Sequence, residues 1–255
     1  MKERLLTVDE VAEILRTTPN TIYRWLRAGK LPGVKIGKEW RIKKETLAAK
    51  LTESNTAIVK SEGFLDSIDR QHDHVLAVTR DTNNLYNLEA EFFKIGLSRG
   101  YRLFKGCWWQ HPDDVRQELS LRGLPIDKLE EKNSLTIVNL TDEYNRSGNT
   151  GPVQSWSDEA RKTLEMGYNT MWGSGSPHLL SCGGHFPNLI EFESTLDDVL
   201  KKLPVVGLCP YIFEAMDDCF GEMVDLMNHH RSVIFYNDNS GILLKNNPIV
   251  SRAGF

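Results

Sequence analysis

Residues 6–44 constrain the fold more than any other stretch, because two helix starts, a helix stop and a hairpin follow one another there in fixed order. Thr7 and Glu10 have capping-box spacing, in which each side chain satisfies the other's backbone N–H at a helix start. Val11, Ile14 and Leu15 then fall on one helical face. Thr18-Pro19 marks a second start, a side-chain cap followed by proline at the first helical position. Ile22, Trp25 and Leu26 make the buried stripe of that helix, which leaves Asn20, Thr21, Tyr23, Arg24 and Arg27 outward. Gly29 supplies the helix stop. After Leu31-Pro32, Val34 and Ile36 alternate with Lys35, and Trp40 and Ile42 with Arg41, around Gly37-Lys38. That pattern predicts a two-stranded hairpin with a basic tip. Glu45–Leu51 reads as a helix closing the unit. Two short helices joined by a tight turn, with a hairpin after them, form a winged helix-turn-helix, whose second helix fits a major groove.

The run Thr7–Lys44 resembles the excisionase-type, MerR-related DNA-binding domain. The resemblance implies a recognition helix in the major groove and a wing on phosphate or minor groove. It places Asn20, Thr21, Arg24, Arg27, Lys35, Lys38 and Arg41 against double-stranded DNA. Thr18 at the helix start and Tyr23 on the outward face are counted with them. The plainer alternative is a small helical module whose basic face is only solvated.

Charge divides the chain in the same place. Residues 1–52 hold 12 basic and 6 acidic side chains, or +6, and since the whole chain is −4 the remaining residues carry −10. A basic head on an acidic body implies that the head alone meets a polyanion. No apolar run approaches the roughly 18–20 residues that span a bilayer, and the N-terminus leads directly into a helix cap, so neither a membrane segment nor a signal peptide is expected. Cys107, Cys182, Cys209 and Cys219 are too few for a disulfide scaffold in 255 residues, which predicts reduced thiols and a cytoplasmic protein. The expected domains are 1–51, a polar linker at 52–66, and 67–255.

The body alternates strand and helix patterns. Strands are predicted at His74–Thr79, Tyr101–Trp109, Ser134–Leu140, Asn169–Trp172, Val205–Tyr211 and Val233–Tyr236, with Gly241–Leu244 after a turn. Helices are predicted at Leu85–Arg99, Pro112–Arg122, Asp158–Met166, Asn188–Leu200 and Asp217–His229. That order predicts an α/β domain with a mostly parallel sheet, able to hold a small ligand at the carboxyl ends of its strands.

Several ordered segments carry a second resemblance. They are Thr-Arg-Asp after the first strand, Gly-Leu-Ser-Arg-Gly, Pro-Asp-Asp-Val, Leu-Arg-Gly-Leu-Pro-Ile-Asp and Leu-Thr-Ile-Val, then Met-Gly-Tyr-Asn-Thr-Met-Trp-Gly-Ser-Gly-Ser, Leu-Pro-Val-Val-Gly-Leu-Cys-Pro-Tyr and Asp-Leu-Met-Asn-His-His. Over about Phe64–Asn246 the chain resembles the MEDS (methanogen/methylotroph sensory) domain of regulators such as the dichloromethane-dehalogenase repressor. That family implies a RecA/KaiC-like fold turned from ATP hydrolysis to effector sensing. The residues themselves argue against hydrolysis. A phosphate-binding loop needs glycines and a lysine, and Arg80-Asp-Thr-Asn-Asn-Leu85 has neither. Asp142 and Glu143 follow the third strand as metal ligands would, with no nucleotide loop to serve.

The candidate effector groups are Cys107, Trp108, Trp109, Trp172, Cys182, His185, Cys209 and Tyr211, all at predicted strand ends or loops. Aromatic and thiol side chains suit a weakly polar, polarizable effector. The alternative is that the tryptophans and Cys209 are ordinary core. No cofactor motif is complete and no metal is expected; Cys182-Gly-Gly-His185 is half a zinc site, for which only Cys219 with His229-His230 offers a second pair. A Cys–His nucleophile pair would need spatial proximity that spacing does not show. The reading that follows is a one-component transcriptional regulator, a homo-oligomer that binds DNA and a small molecule. The alternatives are a DNA-tethered enzyme, ATPase-like or thiol-dependent, and an excisionase-like architectural factor.

Overall fold

The computed structural model describes residues 5–14, 18–27, 31, 33–43, 59–60, 63–182, 184–212, 220–238 and 240–245. Leu15, Gly29, Pro32, Glu45–Leu51 and Cys219, each used in the sequence reading, lie outside the described residues. The chain divides into two compact units, Met1–Thr56 and Ala57–Phe255.

In the first unit, strand β1 (Leu5–Leu6) leads into helix α1 (Val8–Ile14), then α2 (Pro19–Arg27), β2 (Val34–Ile36) and β3 (Glu39–Lys43). The capping box is formed: the Thr7 backbone N–H donates to Glu10 Oε2 at 2.8 Å, and the Glu10 N–H to Thr7 Oγ1 at 3.1 Å. Thr18 caps α2, accepting from the Thr21 N–H. Gly37, at φ 63, opens the tight turn between β2 and β3. The wing has one strand more than the hairpin pattern showed, because β1 pairs with β3 through Leu5↔Lys43 and Leu6↔Ile42. Leu6, Val8, Val11, Ala12, Ile22, Leu26, Leu31 and Ile42 form the core, with Trp25 and Trp40 only partly buried against it. Val34 and Ile36, whose alternation marked the strand, are exposed.

The second unit is α/β. Its strands are β4 (Val59–Lys60), β5 (Asp73–Thr79), β6 (Arg102–Cys107), β7 (Leu135–Asn139), β8 (Met171–Ser174), β9 (Val205–Ile212), β10 (Ser232–Asn237) and β11 (Ser240–Lys245). Its helices are α3 (Thr82–Ser98), α4 (Pro112–Leu121), α5 (Ile126–Glu131), α6 (Leu140–Ser147), α7 (Thr150–Glu165), α8 (Phe186–Leu200) and α9 (Phe220–Asn228). The sheet order is β4-β11-β10-β5-β9-β8-β6-β7. The six strands from β10 to β7 run parallel, and β11 and β4 close one edge antiparallel. Part of the stretch expected as linker belongs here: β4 pairs with β11, and Phe64 and Leu65 of a short 3-10 turn are buried in this unit's core. Helix α7 begins eight residues before its predicted start. Gly151-Pro152 reads as a breaker, yet proline is tolerated in a helix's first turn.

A parallel sheet is covered on both faces. Residues of α3, α4 and α5 pack with Val75, Ala77, Leu103 and Leu208 on one face; residues of α7, α8 and α9 pack with Leu76, Val78, Phe104 and Cys209 on the other. Gly173 lets Trp156 lie directly on the strands, since a Cβ there would come within 2.2 Å of its ring. Charged groups carried inside are paired. Lys105 Nζ meets Glu89 Oε1 at 2.5 Å with both side chains essentially inaccessible, and Ser174 Oγ donates to the same oxygen. Lys105→Ala should therefore destabilise the protein by about 3–5 kcal/mol, because it strands a buried carboxylate. The double variant Lys105→Met with Glu89→Leu should recover most of that loss in urea denaturation. Equal losses in the single and double variants would contradict this account.

Candidate functional site

The outward face of α2 is polar and cationic. Ile22 and Leu26 are buried, while Asn20, Arg24 and Arg27 are exposed and Thr21 and Tyr23 half-buried. Thr18 is exposed but committed to the helix start, its Oγ1 lying 3.0 Å from Thr21 Oγ1. Lys35 and Lys38 are exposed on the wing. Arg41 is partly withdrawn, paired with Glu39 and donating to the Trp40 carbonyl at 3.0 Å. The side chains with unencumbered reach are thus Asn20, Arg24 and Arg27 on one helix, with Lys35 and Lys38 on the adjoining hairpin.

In the second unit the most unusual chemistry is a polar cluster sealed beneath α8. Positions 189, 192, 193, 196, 197 and 200 form the inward stripe of that helix, and two of them are the acids Glu193 and Asp197. Glu193 faces His74 of β5, Cys209 of β9 and His230 just before β10. His74 Nε2 lies 3.3 Å from Glu193 Oε2 and 3.3 Å from Cys209 Sγ. Cys209 Sγ is 3.5 Å, and His230 Nε2 3.6 Å, from the same Glu193 oxygen. The imidazoles stack with ring centres 4.0 Å apart. Outside this ring, Tyr211 Oη donates to Glu193 Oε1, His74 Nδ1 sits 3.0 Å from the His229 carbonyl, and His230 Nδ1 2.7 Å from the Leu226 carbonyl. Asp197 Oδ1 is 3.5 Å from His74 Nδ1, with Lys201 on its other oxygen.

Burial and mutual charge set the protonation of these groups. Burial alone would lower His74, but Cys209, Asp197 and Glu193 outweigh it and hold His74 well above the ordinary histidine value. Burial, with the charge on His74, pushes His230 down to about 3. Burial works to raise Glu193, yet its two histidines and Tyr211 keep it below the usual carboxylate range. Burial and Glu193 push the Cys209 thiol up to about 12. The arrangement is a desolvated ion cluster of two imidazoles, one carboxylate and one thiol. Among the described residues it is also the one group of three or more such side chains able to hold a metal ion, its donor atoms lying within 4.8 Å of one another.

The residues expected at an effector site do not form one constellation. Cys107 and Trp172 are buried on the α3 face, Trp172 stacked on Phe92 at 4.4 Å with the Arg99 guanidinium over it. Trp108, Cys182, Cys209 and Tyr211 are buried on the opposite face. Trp109, 42% exposed, and His185, the residue preceding α8, face solvent. Cys182 and His185 are not in the metal-capable group, which draws on Cys209 and His230 instead. Sequence reasoning missed His74 and Glu193. The available signal was two acids on the apolar stripe of α8.

The turn after β5 bears on nucleotide binding. Asp81 caps α3, its Oδ1 accepting from the Asn84 N–H at 2.8 Å and from Asn84 Nδ2 at 3.0 Å. A helix N-terminus that would otherwise attract phosphate thus already bears a carboxylate. Asp142 and Glu143 lie in the first turn of α6, engaged by Asn139 and Arg146.

Cys107 and Cys182 are both buried, and desolvation pushes their thiols up to about 11 and about 12. Thiolate is the reactive form. Iodoacetamide at neutral pH should leave both unlabelled in native protein and label both in urea, read by peptide mass spectrometry. Rapid native labelling of either would contradict its placement.

Known proteins match the two units separately. Residues 5–54 match the helix-turn-helix domain model, and residues 73–231 the model described as MEDS, the methanogen/methylotroph, DcmR sensory domain. Two Mycobacterium tuberculosis proteins named as candidate DNA-binding proteins, from strains CDC 1551 and H37Rv, are each 44% identical over 41 residues, which is 16% of this chain and 53% of theirs. The chain spans about half the length of these curated relatives. A KaiC-like protein from Pyrococcus horikoshii OT3 aligns over 78% of this chain and 93% of that one, with a TM-score of 0.47 and 11% identity. No helix among the described residues is long and apolar enough to cross a membrane. With its sensory-domain match covering residues 73–231, behind a helix-turn-helix domain, the chain belongs to the MEDS family.

Proposed function

We propose that the protein is a one-component transcriptional regulator, in which the helix-turn-helix head binds double-stranded DNA and the MEDS domain senses a small, weakly polar molecule that alters operator affinity. The observation that carries this reading is α2, buried on one side through Ile22 and Leu26 and presenting Asn20, Arg24 and Arg27 to solvent on the other. An exposed arginine midway along such a helix can pair with guanine O6 and N7, while wing lysines reach phosphate. In this reading Thr18, Thr21, Tyr23 and Arg41 position the helix and wing. Effector sensing draws on the face carrying Trp108, Cys182 and Tyr211, since these share one core cluster. Binding must favour one arrangement of the protein by differential affinity, commonly about 1–3 kcal/mol. Two half-sites are the usual remedy for the short reach of one such head, so the protein acts as a homo-oligomer on its operator. An enzyme tethered to DNA is not favoured, because the Asp81 carboxylate caps the helix that follows the first parallel strand.

Arg24→Ala should weaken operator binding by about 1–3 kcal/mol while leaving random-sequence DNA nearly unaffected. Lys38→Ala should lower affinity for both and reduce the salt slope by about one unit. Equal weakening on both DNAs by Arg24→Ala would move that residue to phosphate contact. For sensing, operator affinity is measured with and without a panel of small alcohols, amines and halogenated hydrocarbons, beside intrinsic tryptophan fluorescence of the full chain. A compound that shifts fluorescence and leaves operator affinity constant would make the domain a binding module without a switch.

A further inference from the structure

We infer that His74, Glu193, Cys209 and His230 are the four ligands of a structural zinc ion, held between β5, β9, α8 and the turn that enters β10. The spacing of the four donor atoms fits a tetrahedral ion. Tetrahedral zinc with bonds of about 2.0–2.3 Å sets its ligand atoms roughly 3.3–3.7 Å apart. The nearest separations here are 3.3 Å (His74 Nε2 to Cys209 Sγ), 3.3 Å (His74 Nε2 to Glu193 Oε2), 3.5 Å (Cys209 Sγ to Glu193 Oε2) and 3.6 Å (His230 Nε2 to Glu193 Oε2). All four donor atoms lie within 4.8 Å of one another, so one ion reaches each with small adjustments.

The histidines are oriented as metal ligands are. Each turns Nδ1 to a backbone carbonyl, His74 to that of His229 and His230 to that of Leu226. A carbonyl only accepts, so each Nδ1 carries a proton and each ring turns its Nε2, the atom a metal would take, to Glu193 Oε2. Both rings can face one carboxylate oxygen only with positive charge among them, and a metal ion supplies it in place of a proton on His74 Nε2. Outer partners of this kind are what fix metal-ligating histidines. Tyr211 completes the pattern by donating to Glu193 Oε1, which leaves Oε2 for the centre.

The charges also balance. Four protein donors fill a closed tetrahedral site, and a mixed thiolate, imidazole and carboxylate set suits zinc. One thiolate and one carboxylate cancel its two positive charges, leaving a neutral core where a net charge is costly. Binding releases the Cys209 thiol proton and any proton held on His74 Nε2.

Protein expressed in zinc-supplemented medium, purified without chelator and analysed by plasma mass spectrometry should contain zinc near one equivalent per chain. Cobalt(II) substitution should give the intense visible bands of a tetrahedral ion and a near-ultraviolet thiolate charge-transfer band. Cys209→Ser should lose that band, whereas Cys182→Ser and His185→Ala should retain it. Because Cys209→Ser can also impair folding, circular dichroism is recorded on each variant, and the wild-type metal content and cobalt spectrum stand as independent tests. Metal-free wild-type protein that takes up neither ion after dialysis would overturn the proposal, leaving an ion cluster centred on protonated His74. A cobalt spectrum without the thiolate band, a band surviving in Cys209→Ser, or a different native metal in the same ligands would each overturn the zinc assignment.

Discussion

The sensory unit depends on one electrostatic constraint: every charge carried into a sheet covered on both faces must meet its complement there. Lys105 does so with Glu89 and Ser174 on the α3 face. Arg102 does so at the far end of the same strand, reaching Glu159 at 2.6 Å and the Asn133 carbonyl at 2.9 Å. Asp73 accepts from Ser232 at the β5–β10 junction, with Lys245 beside it. Glu193 is the extreme case, gathering two histidines, a thiol and a tyrosine. The Lys105, Arg102 and Glu193 pairings tie helices to strands, and the Asp73 set ties three strands together.

The head follows different physics. Its core is small, and local devices fix its elements: the Thr7–Glu10 capping box, the Thr18 cap, and the glycine turn at Gly37. These are short-range signals, and so this part of the fold was the most legible. The β1–β3 pairing was less so, because two residues give too short an alternation to announce a strand. The same limit hid β4. Long buried strands such as β5 and β9 stood out as apolar runs. Helix α6 was missed because Leu140–Ser147 is almost wholly polar, and α7 was foreshortened because Gly151-Pro152 resembles a stop.

The candidate site was legible only in part. Exposed side chains of α2 follow from helical periodicity once the buried stripe is known, and Asn20, Arg24 and Arg27 lie where that period puts them. The body is another matter. Cys209 and Tyr211 were singled out by type, but their partners lie 135 residues away at His74 and 16 and 18 residues away at Glu193. Nothing in local spacing joins a histidine at the start of one strand to a carboxylate on a helix more than a hundred residues later. Sequence adjacency also misled: Trp108 and Trp109 are neighbours, yet one is buried and the other faces solvent.

The proposed function rests on the head reading a specific DNA sequence. The most direct measurement is selection of genomic fragments by the full-length protein at physiological salt, with deep sequencing of what is retained. A short motif should be enriched, present as paired half-sites about one helical turn apart. Retention of fragments in proportion to their input abundance, with no motif enriched, would contradict it.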